Sequence, residues 1–126
     1  ASVDLSGAEE GELSLISRGV SSLSDVLPLP PSMASSITRL NLHGNRLRRL
    51  LPALLPSCPS LTSLDLSSND IASTEGLGYL PSLTSLDLAC NRLARIEDVG
   101  QLSSLTLLTL SHNAISDIAG LRTPNG

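Results

Sequence analysis

An eleven-position phrase, L-x-x-L-x-L-x-x-N-x-L, constrains this chain more than any other feature. It is spelled LTSLDLACNRL at Leu83–Leu93, ITRLNLHGNRL around Asn45, LTSLDLSSNDI around Asn69 and LTLLTLSHNAI around Asn113. Successive asparagines are 24, 22 and 22 residues apart. The Leu-x-Leu core of the phrase is a short strand whose leucines point inward while the residue between them points out. The first Leu or Ile closes the core on the approach side, and the Leu or Ile after Asn closes it on the exit side. Asn falls where the backbone leaves the strand. Its amide offers both donors and an acceptor, so stacked asparagines are expected to satisfy backbone groups of their own turn and the next.

One such unit cannot bury its apolar side alone, whereas stacked units share a continuous core. The expected fold is therefore an α/β repeat solenoid. A parallel β-sheet forms its concave face, and short 3₁₀ or α turns form the convex side. Regular repeats run over 37–60, 61–82, 83–104 and 105–126, with strands centred on Leu40–Leu42, Leu64–Leu66, Leu86–Leu88 and Leu108–Leu110. A degenerate repeat, 13–36, precedes them. There Leu13 and Leu15 fall on Leu-x-Leu, Val20 on the closing apolar position, and Arg18 on the Asn position, which breaks the ladder. Residues 1–12 read as a flexible acidic lead-in.

The returns between strands are short. In LPLPPSMASS (27–36), Pro28 and Pro31 match the P-x-x-P spacing of polyproline II ligands. No basic residue flanks them within the stretch, and a stiff inter-repeat loop is the expected reading. LLPALLPSCPS has room for a helical turn starting near Pro52. STEGLGYLPS and IEDVGQLSS have room for single turns only. The phrase would open again at residue 127, one past Gly126. The chain is thus expected to be a fragment of a longer one, with further repeats or a partner covering its last edge.

Only 1% of the residues are aromatic against 40% hydrophobic, so the core is expected to be aliphatic. The surface correspondingly lacks the Tyr and Trp anchors common at binding hot spots. The net charge is −4, and Asp4, Glu9, Glu10 and Glu12 crowd the first twelve residues. Near-neutral repeats do not suggest nucleic-acid binding. All eight basic residues are Arg. Cys58 and Cys90 lie in different repeats rather than in clustered end caps, which favours a reducing, intracellular location. No apolar run has the length of a membrane span, and the first residues, opening on Ala1, lack a signal pattern.

The 22-residue phrase carries an apolar residue three after the exit position, as in NRLARIEDV and NAISDIAGL. In this it resembles the SDS22-like class of leucine-rich repeats. That resemblance implies an intracellular, non-enzymatic protein, akin to phosphatase regulators, an outer-arm dynein light chain and several centrosomal or ciliary proteins. The chain departs from the class at Thr74, where an apolar residue is expected, and in its lengthened first regular repeat. LISRGVSSLSDV, LNLHGNRL, LDLSSNDI and DIAGLRTPNG also resemble the N-terminal repeats of centrosomal leucine-rich-repeat and coiled-coil proteins of basal bodies. The function implied is a protein–protein interaction module of the cytoplasm, centrosome, basal body or cilium. The alternatives are a structural subunit of an axonemal or cytoskeletal complex and a phosphatase-regulatory protein.

Alternation places three outward columns on the concave face: Arg39, Ser63, Ser85, Leu107; Asn41, Asp65, Asp87, Thr109; and His43, Ser67, Ala89, Ser111. The candidate partner-binding residues are Arg39, Asn41, His43, Asp65, Asp87, Leu107 and Thr109. Asp65 and Asp87, one strand apart, repel each other and would welcome a basic side chain from a protein partner. Leu107 is the large apolar residue of these columns, set among small neighbours. The structural ladder is Asn45, Asn69, Asn91 and Asn113. Arg46, Arg48, Arg49, Arg92 and Arg95, with Asp70 among them, form a second candidate surface, a basic ridge at the exit edge. Cys90 and His112 share a column but lack an orienting acid, an oxyanion device and a third metal ligand. With no phosphate loop, metal cluster or triad, neither an enzyme nor a cofactor is expected.

Overall fold

The computed structural model describes residues 11–50, 55–75, 77 and 80–118. Within them five three-residue strands form one parallel sheet in chain order: β1 (Glu12–Ser14), β2 (Arg39–Asn41), β3 (Ser63–Asp65), β4 (Ser85–Asp87) and β5 (Leu107–Thr109). The register is unbroken. Leu13, Leu40, Leu64, Leu86 and Leu108 lie level across the sheet. Each strand is one residue earlier than the sequence suggests, yet the pairing continues beyond it. Leu42 N–H donates to the Asp65 carbonyl, Leu66 to Asp87 and Leu88 to Thr109, each at 2.8 Å. Strand order, register and burial define a repeat solenoid of the α/β type, with few and short helices among the described residues.

The core follows from the phrase. Leu13, Leu40, Leu64 and Leu86 stack in one buried column, and Leu15, Leu42, Leu66 and Leu88 in the next. Ile37, Leu61 and Leu83 close the approach side; Val20, Leu47, Ile71 and Leu93 close the exit side. A further column behind them holds Leu23, Leu50, Thr74 and Ile96, all buried. In the last repeat Leu105, Leu108, Leu110 and Ile115 are only partly buried, though packed against the same core.

Thr74, the departure from the expected pattern, is fully buried without an orphaned hydroxyl. Its Oγ1 donates to the Glu97 carbonyl at 2.6 Å and accepts from Glu97 N–H. One side chain thus ties two neighbouring returns together, as a backbone bridge would.

Several sequence expectations change in detail. Glu12 is not lead-in: it belongs to β1 and pairs with Arg39 (3.3 Å) on the adjoining strand. The P-x-x-P stretch is not a continuous polyproline helix, because Pro31 opens a four-residue helix, α1 (Pro31–Ala34). The Pro ring suits that first helical position, where no N–H is needed. The turn expected from Pro52 falls outside the described residues; a 3₁₀ turn occurs at Leu55–Ser57. Another at Val99–Gln101 fills the return of the third regular repeat. Residues 1–10, and with them Asp4, Glu9 and Glu10, also lie outside the described set.

Candidate functional site

Two polar ladders hold the strands in register, and only one was visible in the sequence. At the exit, Asn69 Oδ1 accepts Leu47 N–H (3.0 Å), while Nδ2 donates to the Leu42 and Leu66 carbonyls (3.0 and 2.9 Å). Asn91 does the same with Ile71 N–H and the Leu66 and Leu88 carbonyls, and Asn113 with Leu93 N–H and the Leu88 and Leu110 carbonyls. Each amide therefore joins its own turn to the preceding one, not the next. Asn45 takes two donors, Arg18 and Val20 N–H, so the degenerate first repeat is fastened from its neighbour's side. Arg18 enters the ladder through its backbone N–H alone, and its side chain is exposed.

At the entry stands a threonine ladder. Thr62 Oγ1 donates to the Thr38 carbonyl, Thr84 to Thr62 and Thr106 to Thr84, at 3.0–3.1 Å. The same carbonyls accept backbone N–H from the next strand; the Thr62 carbonyl takes both Thr84 and Ser85. The signal was present in the second letter of every phrase (Thr38, Thr62, Thr84, Thr106), but it reads as an ordinary surface Thr until the register is known.

The residue before each ladder position has left-handed backbone: Ser17, Gly44, Ser68, Cys90 and His112, with φ between 54° and 73°. The strand must turn sharply there to aim Asn inward. Only Gly44 adopts this without penalty, and a Cβ at Gly44 would lie 2.8 Å from Ser17 Oγ. Cys90 and His112 thus occupy a conformational position, both exposed. Among the described residues no hydrogen bond joins them, and no cluster of three or more metal-ligating side chains occurs. Burial pushes the thiol of the other cysteine, Cys58, upward, which keeps it protonated and unreactive.

On the outward face the register brings Arg39, Ser63, Ser85 and Leu107 level, and likewise Asn41, Asp65, Asp87 and Thr109. The seven candidate residues divide into two groups. Those on β2 and just after it are occupied internally. Arg39 is neutralised by Glu12, and Asn41 Oδ1 caps His43 N–H (3.0 Å). His43 Nδ1 meets Ser67 Oγ at 2.7 Å. Ser67 spends its hydroxyl proton on Asp65 Oδ1 (2.5 Å), so the proton between His43 and Ser67 resides on Nδ1 and leaves Nε2 as the outer atom.

Asp65 and Asp87 are not simply mutually repelling charges. Each turns Oδ1 back to accept the N–H two residues on, Ser67 at 2.9 Å and Ala89 at 3.0 Å. Those donors offset part of the repulsion between carboxylates about 5 Å apart. Leu107 has no such obligation. It is 58% exposed, beside half-buried Ser85, Asp87 and Thr109.

The basic ridge does not run unbroken. Arg92 Nε pairs with Asp70 (3.5 Å) and Arg95 Nε with Glu97 (3.4 Å), whose carboxylate also accepts Ser73 Oγ. Among the described residues no ion pair engages Arg46, Arg48 or Arg49.

A parallel sheet of one short strand per turn, laced by Asn and Thr ladders over an aliphatic core, defines a leucine-rich-repeat solenoid. Family models agree: Leucine Rich Repeat matches residues 36–58, Leucine Rich repeat 57–76, and Leucine Rich repeats (2 copies) 81–123. The chain belongs to the leucine-rich-repeat family, whose domains typically mediate protein–protein interaction and are typically non-catalytic. It is similar to the Tonsoku-like protein of Danio rerio, at 42% identity over 73 residues. That match takes in 52% of this chain, which spans only 5% of the length of that relative. Among solved structures it is similar to an internalin C2 from Listeria monocytogenes, at 19% identity and a TM-score of 0.32. There the alignment covers 88% of this chain and 75% of the other.

Proposed function

We propose that the chain is a non-catalytic protein-binding module that receives its partner on the concave sheet face. The observation that carries this is the pairing of exposed Leu107 with the Asp65–Asp87 column beside it. Each carboxylate uses Oδ1 internally, and Oδ2 is left for a basic side chain. Half-buried Ser85 and Ala89 keep the surroundings low enough for a partner backbone to approach. The seats for an apolar and a basic side chain therefore lie on β3–β5, with Thr109 at their margin. Arg39, Asn41 and His43 border them and present a neutralised, hydrogen-bonded surface.

The repeat phrases support a further proposal, that this module works inside the cell in a centrosomal, basal-body or ciliary assembly. A fluorescently tagged full-length protein should then concentrate at the basal body; uniform distribution would count against that setting.

The binding face is tested with a photo-crosslinker at Ser85 in the full protein, followed by affinity measurements on the captured partner. Leu107→Glu and Asp87→Asn should each weaken that affinity by about 1–3 kcal/mol. Asn is the informative replacement at 87, because its amide oxygen can cap Ala89 N–H as Asn41 caps His43 while the charge is removed. Unchanged affinity in the double variant, with an intact melting curve, would refute the concave-face assignment.

A further inference from the structure

We propose that Arg48 and Arg49, with Ser21 and Ser22 of the preceding turn, form a pocket for a phosphorylated side chain of a protein partner. The exit edge of the first two turns bounds an open hollow of about 300 Å³ lined by these four residues. Its construction follows from the register. Glu12 lies level with Arg39, and the same offset carried past the strands sets Ser21 level with Arg48 and Ser22 level with Arg49. Arg46 N–H donates to the Val20 carbonyl at 2.8 Å just before these pairs, so the two turns are still joined where the pocket opens. Leu23 and Leu50, buried immediately beyond, anchor both walls in the core.

The chemistry of the pocket is that of an oxyanion site. Two arginines, whose guanidiniums are planar forks of donors, line a small open hollow together with two serines. Three other arginines already have carboxylates: Arg92 has Asp70, Arg95 has Glu97 and Arg39 has Glu12. No such pair engages Arg48 or Arg49 among the described residues. Ser22 Oγ accepts Ser24 N–H and shares a 2.8 Å hydrogen bond with Ser24 Oγ, which holds that hydroxyl in place at the start of the 3₁₀ turn Leu23–Asp25.

Charge decides between possible anions. A phosphoryl group brings nearly two negative charges and three acceptor oxygens, which matches two guanidiniums and two hydroxyls better than a single carboxylate does. A polyanion such as nucleic acid or an anionic membrane would instead meet a chain of net charge −4, in which Arg92 and Arg95 further along the edge are paired with Asp70 and Glu97. The site therefore suits one discrete phosphate displayed on a protein segment. It lies on the exit edge, away from Leu107 and Asp87, so it stands independently of the concave-face proposal.

The test follows arginine Nε–Hε resonances of the full protein by NMR during titration with three probes. These are a short phosphoserine peptide with uncharged flanks, the same peptide with unmodified Ser, and the same peptide with Asp in its place. The phosphopeptide should give saturable shifts confined to the Arg48–Arg49 region. Its affinity should fall at least ten-fold in Arg48→Ala and in Arg49→Ala and be unchanged in Arg95→Ala. Arg49→Lys, which keeps the charge but loses the fork, should fall between. Equal binding of the Asp peptide would overturn the phosphate assignment. Absence of saturation, or shifts shared equally by Arg92 and Arg95, would overturn the pocket itself. Binding of single-stranded DNA or phosphatidylserine vesicles through these arginines, without binding of the phosphopeptide, would overturn the protein source.

Discussion

Asn69 offers the sharpest test of how this solenoid is held together, because its bonds are not equally replaceable. The Leu42 carbonyl also receives Asn45 Nδ2, and the Leu66 carbonyl also receives Asn91 Nδ2. Removing the Asn69 amide leaves both carbonyls with one donor each. Leu47 N–H, by contrast, loses the acceptor that Asn69 Oδ1 supplies and is buried. An orphaned buried donor costs about 1–3 kcal/mol, and each shared bond about 0.5–1.5 kcal/mol. Asn69→Ala should therefore lose about 2–6 kcal/mol. Asn69→Asp separates the two roles, since its carboxylate keeps the acceptor for Leu47 but turns an oxygen onto the two carbonyls.

In that variant burial and the facing carbonyls favour the neutral acid, so the folded-state pKa lies above the unfolded value of about 3.9. The native state then binds more protons than the unfolded state, and stability falls as pH rises from that value through the folded pKa. Above it the loss is complete. Urea midpoints of the wild type and both variants at neutral and mildly acidic pH measure this. Asn69→Asp should be the weaker variant at pH 7 and should recover on acidification, whereas Asn69→Ala should track the wild type. A loss below about 0.5 kcal/mol for Asn69→Ala, or pH-independent behaviour of Asn69→Asp, would refute the ladder reasoning.

Other substitutions follow the same logic. Thr74→Val restores the expected apolar letter yet strips both Glu97 backbone groups of their partner, and should cost about 1–3 kcal/mol by thermal or chemical denaturation. Gly44→Ala should cost about 1–2 kcal/mol, because φ is 73° and the new Cβ meets Ser17 Oγ; His112→Gly, at φ 58°, should be neutral or gain up to about 1 kcal/mol. Arg18→Ala should leave the denaturation midpoint within about 0.5 kcal/mol of the wild type, since its side chain is exposed and outside the ladder. A maleimide reagent at pH 7 should label exposed Cys90 in the folded protein and reach buried Cys58 only on unfolding, as peptide mapping would show.

The sheet, its parallel register and the aliphatic core were legible in the repeat phrase alone. Those rest on a local rule: in Leu-x-Leu, inside and outside alternate, and a fixed period stacks like positions on like. Asn69 and Asn91 were legible as ladder residues for the same reason, because a polar side chain recurring beside core leucines must find backbone partners.

What the period could not reveal is which outward groups are already engaged. Glu12 with Arg39, Asp70 with Arg92 and Ser67 with His43 are pairs between turns, and they exist only once the register is set. Thr62 looked like solvated surface until the neighbouring carbonyl came within 3.0 Å. Thr74 looked like a defect until the next return supplied Glu97. Asp87 looked like a bare charge until the strand end turned Ala89 N–H toward it. A period states that residues recur, whereas a hydrogen bond needs two groups within about 3 Å, and that distance was decided by the tertiary stacking of the turns.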